Sequence, residues 1–160
     1  MPVHRGRVWK FGDHVSTDII MPAYTLYGHM AEEQRPQHCM VAVRPEFAKE
    51  VKPGDILVAG RNFGCGSIRP PSNLQSLGIS CLLADSFSRP FLRYCISIGY
   101  PALTHRGVSA FFDDGDQAEV NFDRADIKNL TKGTELAVDP LPDLWQRILE
   151  AGGLMETLKT

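Results

Sequence analysis

A chain of 160 residues, 43% hydrophobic and 22% charged with a formal net charge of −2, is long enough for one domain with a real core and too short for two to be expected. The slight acidic excess argues against a nucleic-acid surface, which needs clustered basic charge. No apolar run approaches the roughly 18–20 residues of a membrane span and no charged-apolar-small leader is present, so a cytoplasmic chain with reduced thiols is expected, with neither nucleic acid nor membrane as partner.

Residues 6–12 alternate like a first strand, Asp13-His14 turns, and Thr17-Asp18-Ile19-Ile20-Met21-Pro22 runs into an apolar, irregular segment. Residues 30–37 are polar and reach Pro36, which predicts a short exposed helix or loop, and 45–50 read as a short helix with Pro45 near its start. Lys52-Pro53-Gly54-Asp55 is a turn into a buried strand over 56–59. Next comes Gly60-Arg61-Asn62-Phe63-Gly64-Cys65-Gly66-Ser67-Ile68-Arg69, then a helix over 72–77 that returns through Gly78 to an apolar strand over 79–84. This strand–loop–helix–strand unit puts the glycine loop at the carboxyl end of its strand, where ligands commonly sit in α/β sheets. A second helix over 86–95 and a short strand over 98–103 follow. From Ala110 the texture changes to Asp113-Asp114-Gly115-Asp116 turns and strands over 117–122 and 134–138, which read as hairpins closing the domain. Residues 144–149 and 154–158 are helical, with Asp143 as a cap and Gly152-Gly153 as a break; their apolar spacing implies packing or a docking surface for a partner helix.

The glycine loop brings bare backbone amides beside a hydroxyl and a guanidinium, and its helix would add the positive end of a dipole, a combination that suits an anionic small molecule. Arg69 offers a planar fork able to hold a carboxylate with two hydrogen bonds. Glycine clusters also mark plain tight turns, and the spacing fits neither the P-loop nor the dinucleotide fingerprint. The four cysteines, Cys39, Cys65, Cys81 and Cys95, include no Cys-x-x-Cys pair and make a poor ligand set for zinc or an iron–sulfur cluster. Cys81 and Cys95 read as small core residues; Cys65 lies in the loop with no neighbouring histidine to act as its base.

Three ordered motifs, Thr17-Asp18-Ile19-Ile20, Asn62-Phe63-Gly64-Cys65-Gly66-Ser67-Ile68-Arg69, and Asp85-Ser86-Phe87-Ser88-Arg89-Pro90-Phe91-Leu92-Arg93 with Ile98-Gly99-Tyr100-Pro101, give the chain a family likeness. It resembles the small subunit of 3-isopropylmalate dehydratase, the counterpart of the swivelling domain of aconitase, over nearly its whole length. The resemblance implies an α/β fold of three layers, β/β/α, around a mixed, partly parallel sheet, as one domain over residues 1–160. It implies a large catalytic subunit carrying a [4Fe-4S] cluster, no cofactor on this chain, a small 2-hydroxy-acid substrate, and a dehydration followed by rehydration with the opposite regiochemistry. An isolated chain is also open to self-association.

Carried over by position, Ser67 matches the family's serine base, Arg69 the arginine on a substrate carboxylate, Gly66 and Ser67 the substrate-binding loop, and Asp18 the aspartate that pairs with a histidine of the catalytic partner. Thr17 is expected to shape its turn. The family usually reads Gly-Ser-Ser-Arg-Glu-His where this chain has Gly66-Ser67-Ile68-Arg69-Pro70-Pro71. A second serine is thereby lost, and the start of the helix is stiffened. Family specificity resides in the loop after the Thr-Asp motif, here Tyr24, Thr25, Leu26, Tyr27, Gly28 and His29. Its aromatic and aliphatic groups favour an alkyl substituent such as that of 3-isopropylmalate over an extra carboxylate. Two alternatives stay open: the same chemistry on dimethylmalate, methylmalate or homoaconitate, and a non-catalytic carboxylate-binding paralogue, which Ile68, Pro70 and Pro71 suggest.

Overall fold

The computed structural model describes residues 1–159. Strand β1 (His4–Lys10) lies at the centre of a seven-stranded sheet. On one side it pairs in parallel with β2 (Ile56–Ala59), followed by parallel β3 (Cys81–Ala84) and β4 (Ala102–Thr104). On the other side it pairs antiparallel with β5 (Gln117–Asn121), followed by β6 (Asp126–Asn129) and β7 (Thr134–Ala137).

Side chains alternate between faces along a strand, so a strand covered on both faces reads as an unbroken apolar run. Every residue of β2 and β3 is buried for that reason. The register places Trp9, Leu57, Leu82 and Ala102 side by side, and they share one core with Phe47, Leu74, Phe91 and Tyr100. The intervening residues Val8, Ile56, Val58, Cys81 and Leu83 point the other way, into a second core with Ala118, Val120 and Ile127 of the antiparallel strands. The sheet therefore curls until its antiparallel half covers one face of its parallel half, which gives the β/β/α layering expected above. Edge strand β7 is mostly exposed, with Leu136 alone half-buried, and its Glu135 discourages a further strand from pairing.

Short helices fill the parallel crossovers: α1 (Thr17–Ile20), α2 (Tyr24–Tyr27), a 3-10 helix over Glu32–His38 and α3 (Phe47–Glu50) between β1 and β2, then α4 (Ser72–Leu77) and α5 (Arg89–Ser97) in the next two. α6 (Val108–Phe111) precedes the antiparallel strands, and α7 (Asp143–Ala151) and α8 (Leu154–Thr157) follow them. Buried Asp55 fixes the turn before β2. It accepts from the Trp9 indole at 2.8 Å and from the amide of Lys52 at 2.9 Å, while the guanidinium groups of Arg7 and Arg44 lie over the Trp9 ring at 4.0 and 4.5 Å.

Several sequence expectations change. The segment from Thr17, expected to be irregular, begins with one helical turn whose orphan amide at Ile19 is satisfied by the Ser16 side chain. Residues 24–27, read as loop, form α2; β6 and α6 were not foreseen. Helix α5 starts at Arg89 rather than at residue 86, because Phe87 is held in a bridge to Phe63; Pro90 falls in the first turn, where its missing N–H costs nothing. Asp143 is the first residue of α7 and not its cap, a place taken by Pro142. Among the described residues no helix is long and apolar enough to cross a membrane.

Candidate functional site

The glycine loop leaves β2 at Ala59 and is pinned at its midpoint by aromatic packing. Phe63 is fully buried, with its ring edge-on to Phe91 and Phe87 at centroid distances of 5.5 and 6.0 Å. Gly64 follows with φ +81°, its bare Cα lying under the Phe91 ring, and its amide donates to the carbonyl of Val15 at 2.8 Å. One residue on, the amide of Thr17 donates to the carbonyl of Cys65 at 2.8 Å. The Ser16–Thr17 corner and the glycine loop thus run as a short parallel pair. Buried Thr17 closes the arrangement: its hydroxyl donates to the carbonyl of Ser67 at 2.6 Å. This is the turn-shaping part expected of Thr17.

Holding Ser67 by its carbonyl leaves its side chain exposed. Among the described residues the amides of Gly66 and Ser67 donate to no protein acceptor. Beside them lies Arg69, only 8% exposed. Its Nη1 donates to the carbonyl of Met21 at 2.6 Å and more weakly to that of Thr17 at 3.5 Å, and its Nη2 pairs with the exposed carboxylate of Asp18. The sequence pictured an open fork; the structure shows a guanidinium with one arm bound to the main chain and the other held by a carboxylate at the surface. Asp18, Gly66, Ser67 and Arg69 therefore meet at one place, as the motifs implied. The helix-dipole contribution does not follow, because Arg69-Pro70-Pro71 separates the loop from α4, which has only six residues and no side-chain cap.

The cleft between this loop and α5, lined by Thr17, Gly64, Ser67, Ile68, Arg69 and Phe91 among others, measures about 10 Å³. Such a space holds about one water. Ligand pockets usually measure roughly 300 Å³ or more, so the loop and α5 present an open wall here rather than an enclosed pocket. Ile68, 70% exposed, extends that wall with an apolar surface.

The segment of Tyr24–His29 divides. Thr25 is fully buried and its hydroxyl donates to the carbonyl of Pro22 at 2.6 Å, a structural part that the sequence did not separate from its neighbours. Leu26 is half-buried, whereas Tyr27, Gly28 and His29 are exposed, Tyr27 at 83%. Tyr24 reaches His38 at the end of the 3-10 helix, its hydroxyl 2.9 Å from Nδ1. Two supports went unread in the sequence: Phe91, the ring under which Gly64 lies, and His38. The first had a signal in the Phe-x-x-x-Phe spacing of 87–91; the second, in a polar run, had none.

Among the described residues no three histidine, cysteine, aspartate or glutamate side chains are placed to hold a metal. Burial pushes the thiols of Cys39 and Cys81 up to about 12 and that of Cys95 higher still, leaving half-buried Cys65 as the accessible one. Titration with a disulfide reagent near pH 8 is expected to consume one thiol in the native chain and four after denaturation.

The model of the aconitase C-terminal domain family matches residues 21–104, which include the curled sheet's glycine loop with Ser67 and buried Arg69. The small subunit of the isopropylmalate/citramalate isomerase of Methanocaldococcus jannaschii is 49% identical over 97% of this chain and 93% of its own length. The methanogen homoaconitase small subunit of Methanothermobacter thermautotrophicus is 46% identical over 94% of this chain and 88% of its own. A crystal structure of 3-isopropylmalate dehydratase from M. jannaschii superposes with a TM-score of 0.90 at 36% identity, covering 99% of this chain and 94% of that one. The chain belongs to the family of 3-isopropylmalate dehydratase small subunits, which are parts of hydro-lyases.

Proposed function

We propose that this chain is the small subunit of an iron–sulfur hydro-lyase that isomerises a 2-alkylmalate, 3-isopropylmalate foremost, by dehydration and rehydration. The observation that carries the reading is the exposed Ser67 hydroxyl, set by its own carbonyl beside two undonated amides and a buried guanidinium. In this reading Ser67 takes the proton from the carbon next to the one that loses hydroxide, and returns it when water adds back at the other position. A free hydroxyl is far too weak a base near neutral pH, so the amides of Gly66 and Ser67 and the charge of Arg69 stabilise the alkoxide. The Arg69 arm now paired with Asp18 is the one that takes a substrate carboxylate, once Asp18 turns to a cationic group of the large subunit. Among the described residues the thiols form no cluster ligand set; in this reading a [4Fe-4S] cluster would be held by the large subunit and would supply Lewis acidity toward the departing hydroxyl.

In this reading Ile68 and residues 24–29 form the wall beyond the base, and that wall favours an alkyl substituent. Ile68, Leu26 and Tyr27 are apolar or aromatic, and within residues 24–29 no arginine or lysine is available to an additional carboxylate. Leaving a carboxylate unpaired against such a wall is costly. With the large subunit reconstituted under anaerobic conditions, kcat/KM for 3-isopropylmalate is expected to exceed that for homocitrate by about 10²-fold or more, with citramalate and 2,3-dimethylmalate in between. A preference for homocitrate would overturn the substrate, and a stable complex that turns over none of these acids would favour a non-catalytic carboxylate binder.

A further inference from the structure

We infer that His38 is a positioning residue for the substrate's alkyl group: it latches Tyr24 and so fixes the wall formed by residues 24–29. The inference rests on the reading of that segment as the specificity wall, and it assigns the wall's anchor.

Within residues 22–29 the backbone hydrogen bonds are all local, from Thr25 to Pro22 and from Leu26 and Tyr27 to Ala23, and the Thr25 hydroxyl also returns to Pro22. A single helical turn with no side-chain cap is not stable by itself. Among the described residues, the one hydrogen bond that leaves this stretch joins the Tyr24 hydroxyl to His38 Nδ1 at 2.9 Å. The two rings also pack edge to face, with centroids 5.3 Å apart and planes at 84°.

His38 is suited to anchor because its own position is fixed by the core. Cys39 and Met40, which follow it, are 1% and 0% exposed, and the amide of Met40 donates to the carbonyl of Ile19 at 3.2 Å, in the same helical turn as Asp18. Met40 is held at φ +61°, a conformation a methionine adopts only when its surroundings impose it. The C-terminal end of the 3-10 helix thus links the turn bearing Asp18 to Tyr24, through Met40 just past the helix and the ring of His38, its last residue. Without the latch, buried Thr25 still pins the segment at one point, but the Tyr24 side of the turn loses its lateral hold, and the wall no longer distinguishes a branched alkyl group from a methyl.

The test uses the reconstituted two-subunit enzyme with 3-isopropylmalate and citramalate. His38→Leu, which removes the nitrogen, is expected to raise KM for 3-isopropylmalate about three- to tenfold, the worth of one exposed-to-half-buried hydrogen bond, while kcat and the citramalate KM stay within about twofold. Tyr24→Phe should reproduce the KM rise. His38→Asn, whose amide reaches the Nδ1 position, should restore most of the selectivity. Equal effects on both acids, or no effect of His38→Leu and Tyr24→Phe, would overturn the inference while leaving the reading of Ser67 intact. A second readout does not depend on turnover: in the full chain alone, the ¹⁵N resonance of His38 Nδ1 should move on Tyr24→Phe. An unmoved resonance means that no latch exists. A moved resonance in an enzyme that turns over neither acid upholds the latch and sinks the reading of the site.

Discussion

Ser67→Ala should abolish turnover of the reconstituted enzyme, lowering kcat by about 10²–10⁴-fold, the range for removal of a positioned general base. The geometry separates this effect from structural damage. Ser67 is held through its carbonyl, which accepts from Thr17 at 2.6 Å, and among the described residues its exposed hydroxyl has no partner. Removing Oγ therefore leaves the Thr17 tie, the Gly64 and Cys65 backbone bonds and the Arg69 contacts in place. The variant should unfold at the wild-type temperature, co-elute with the large subunit and keep a KM close to wild type, because the proposed carboxylate site at Arg69 and the proposed wall are left untouched. Steady-state kinetics with 3-isopropylmalate, alongside thermal unfolding and gel filtration, checks all three. Activity within tenfold of wild type would remove Ser67 from the chemistry and return the loop to a binding role.

Strands β2 and β3 were legible because they are buried on both faces and so read as unbroken apolar runs, whereas β4 was expected over 98–103 and runs from 102 to 104. Strand β6 was not legible: Asp126-Ile127-Lys128-Asn129 carries one apolar residue, and buried Asn129 is made tolerable by partners distant in sequence, Asp116 at 2.7 Å and the carbonyl of Phe111 at 3.1 Å. Helices α1 and α2 have four residues each, barely one period, too short for an apolar stripe to declare itself. At the site, the motifs named residues that converge, Asp18, Gly66, Ser67 and Arg69; that the Ser16–Thr17 corner pairs with the glycine loop is a contact the sequence did not announce. How Arg69 is used was beyond reach. Its commitment to the carbonyls of Met21 and Thr17 is a tertiary fact with no local trace, and so is the pairing of Asp18 with the other arm. That pairing leaves each charge satisfied by the other in the chain as it stands.

Gly64→Ala should damage the site more than any other single methyl added to the loop. At φ +81° an L-residue costs about 1–2 kcal/mol. The new Cβ would also overlap the Phe91 ring, with Cδ1 and Cδ2 at 2.6 Å. That ring cannot swing aside, since it stacks on Phe87 with planes at 14° and meets Phe63 edge-on at 5.5 Å. Overpacking of this kind adds about 1–3 kcal/mol. The sum, about 2–5 kcal/mol, corresponds to a fall of roughly 5–20 °C in the unfolding midpoint for a chain of this size, and relief by shifting the backbone would carry Cys65, Gly66 and Ser67 away from Thr17. Gly66→Ala separates the two causes. It has a similar positive φ of +97°, but its added Cβ would meet only the Thr17 hydroxyl, at an ordinary 3.5 Å, and the Ser16 Cβ at 3.9 Å. It should therefore lose only the backbone part, with a midpoint nearer wild type. If the two variants melt together, the Phe91 contact is not what sets the loop; if Gly64→Ala alone falls steeply and loses activity at temperatures where it is still folded, the aromatic triad of 63, 87 and 91 is the platform on which the base is placed.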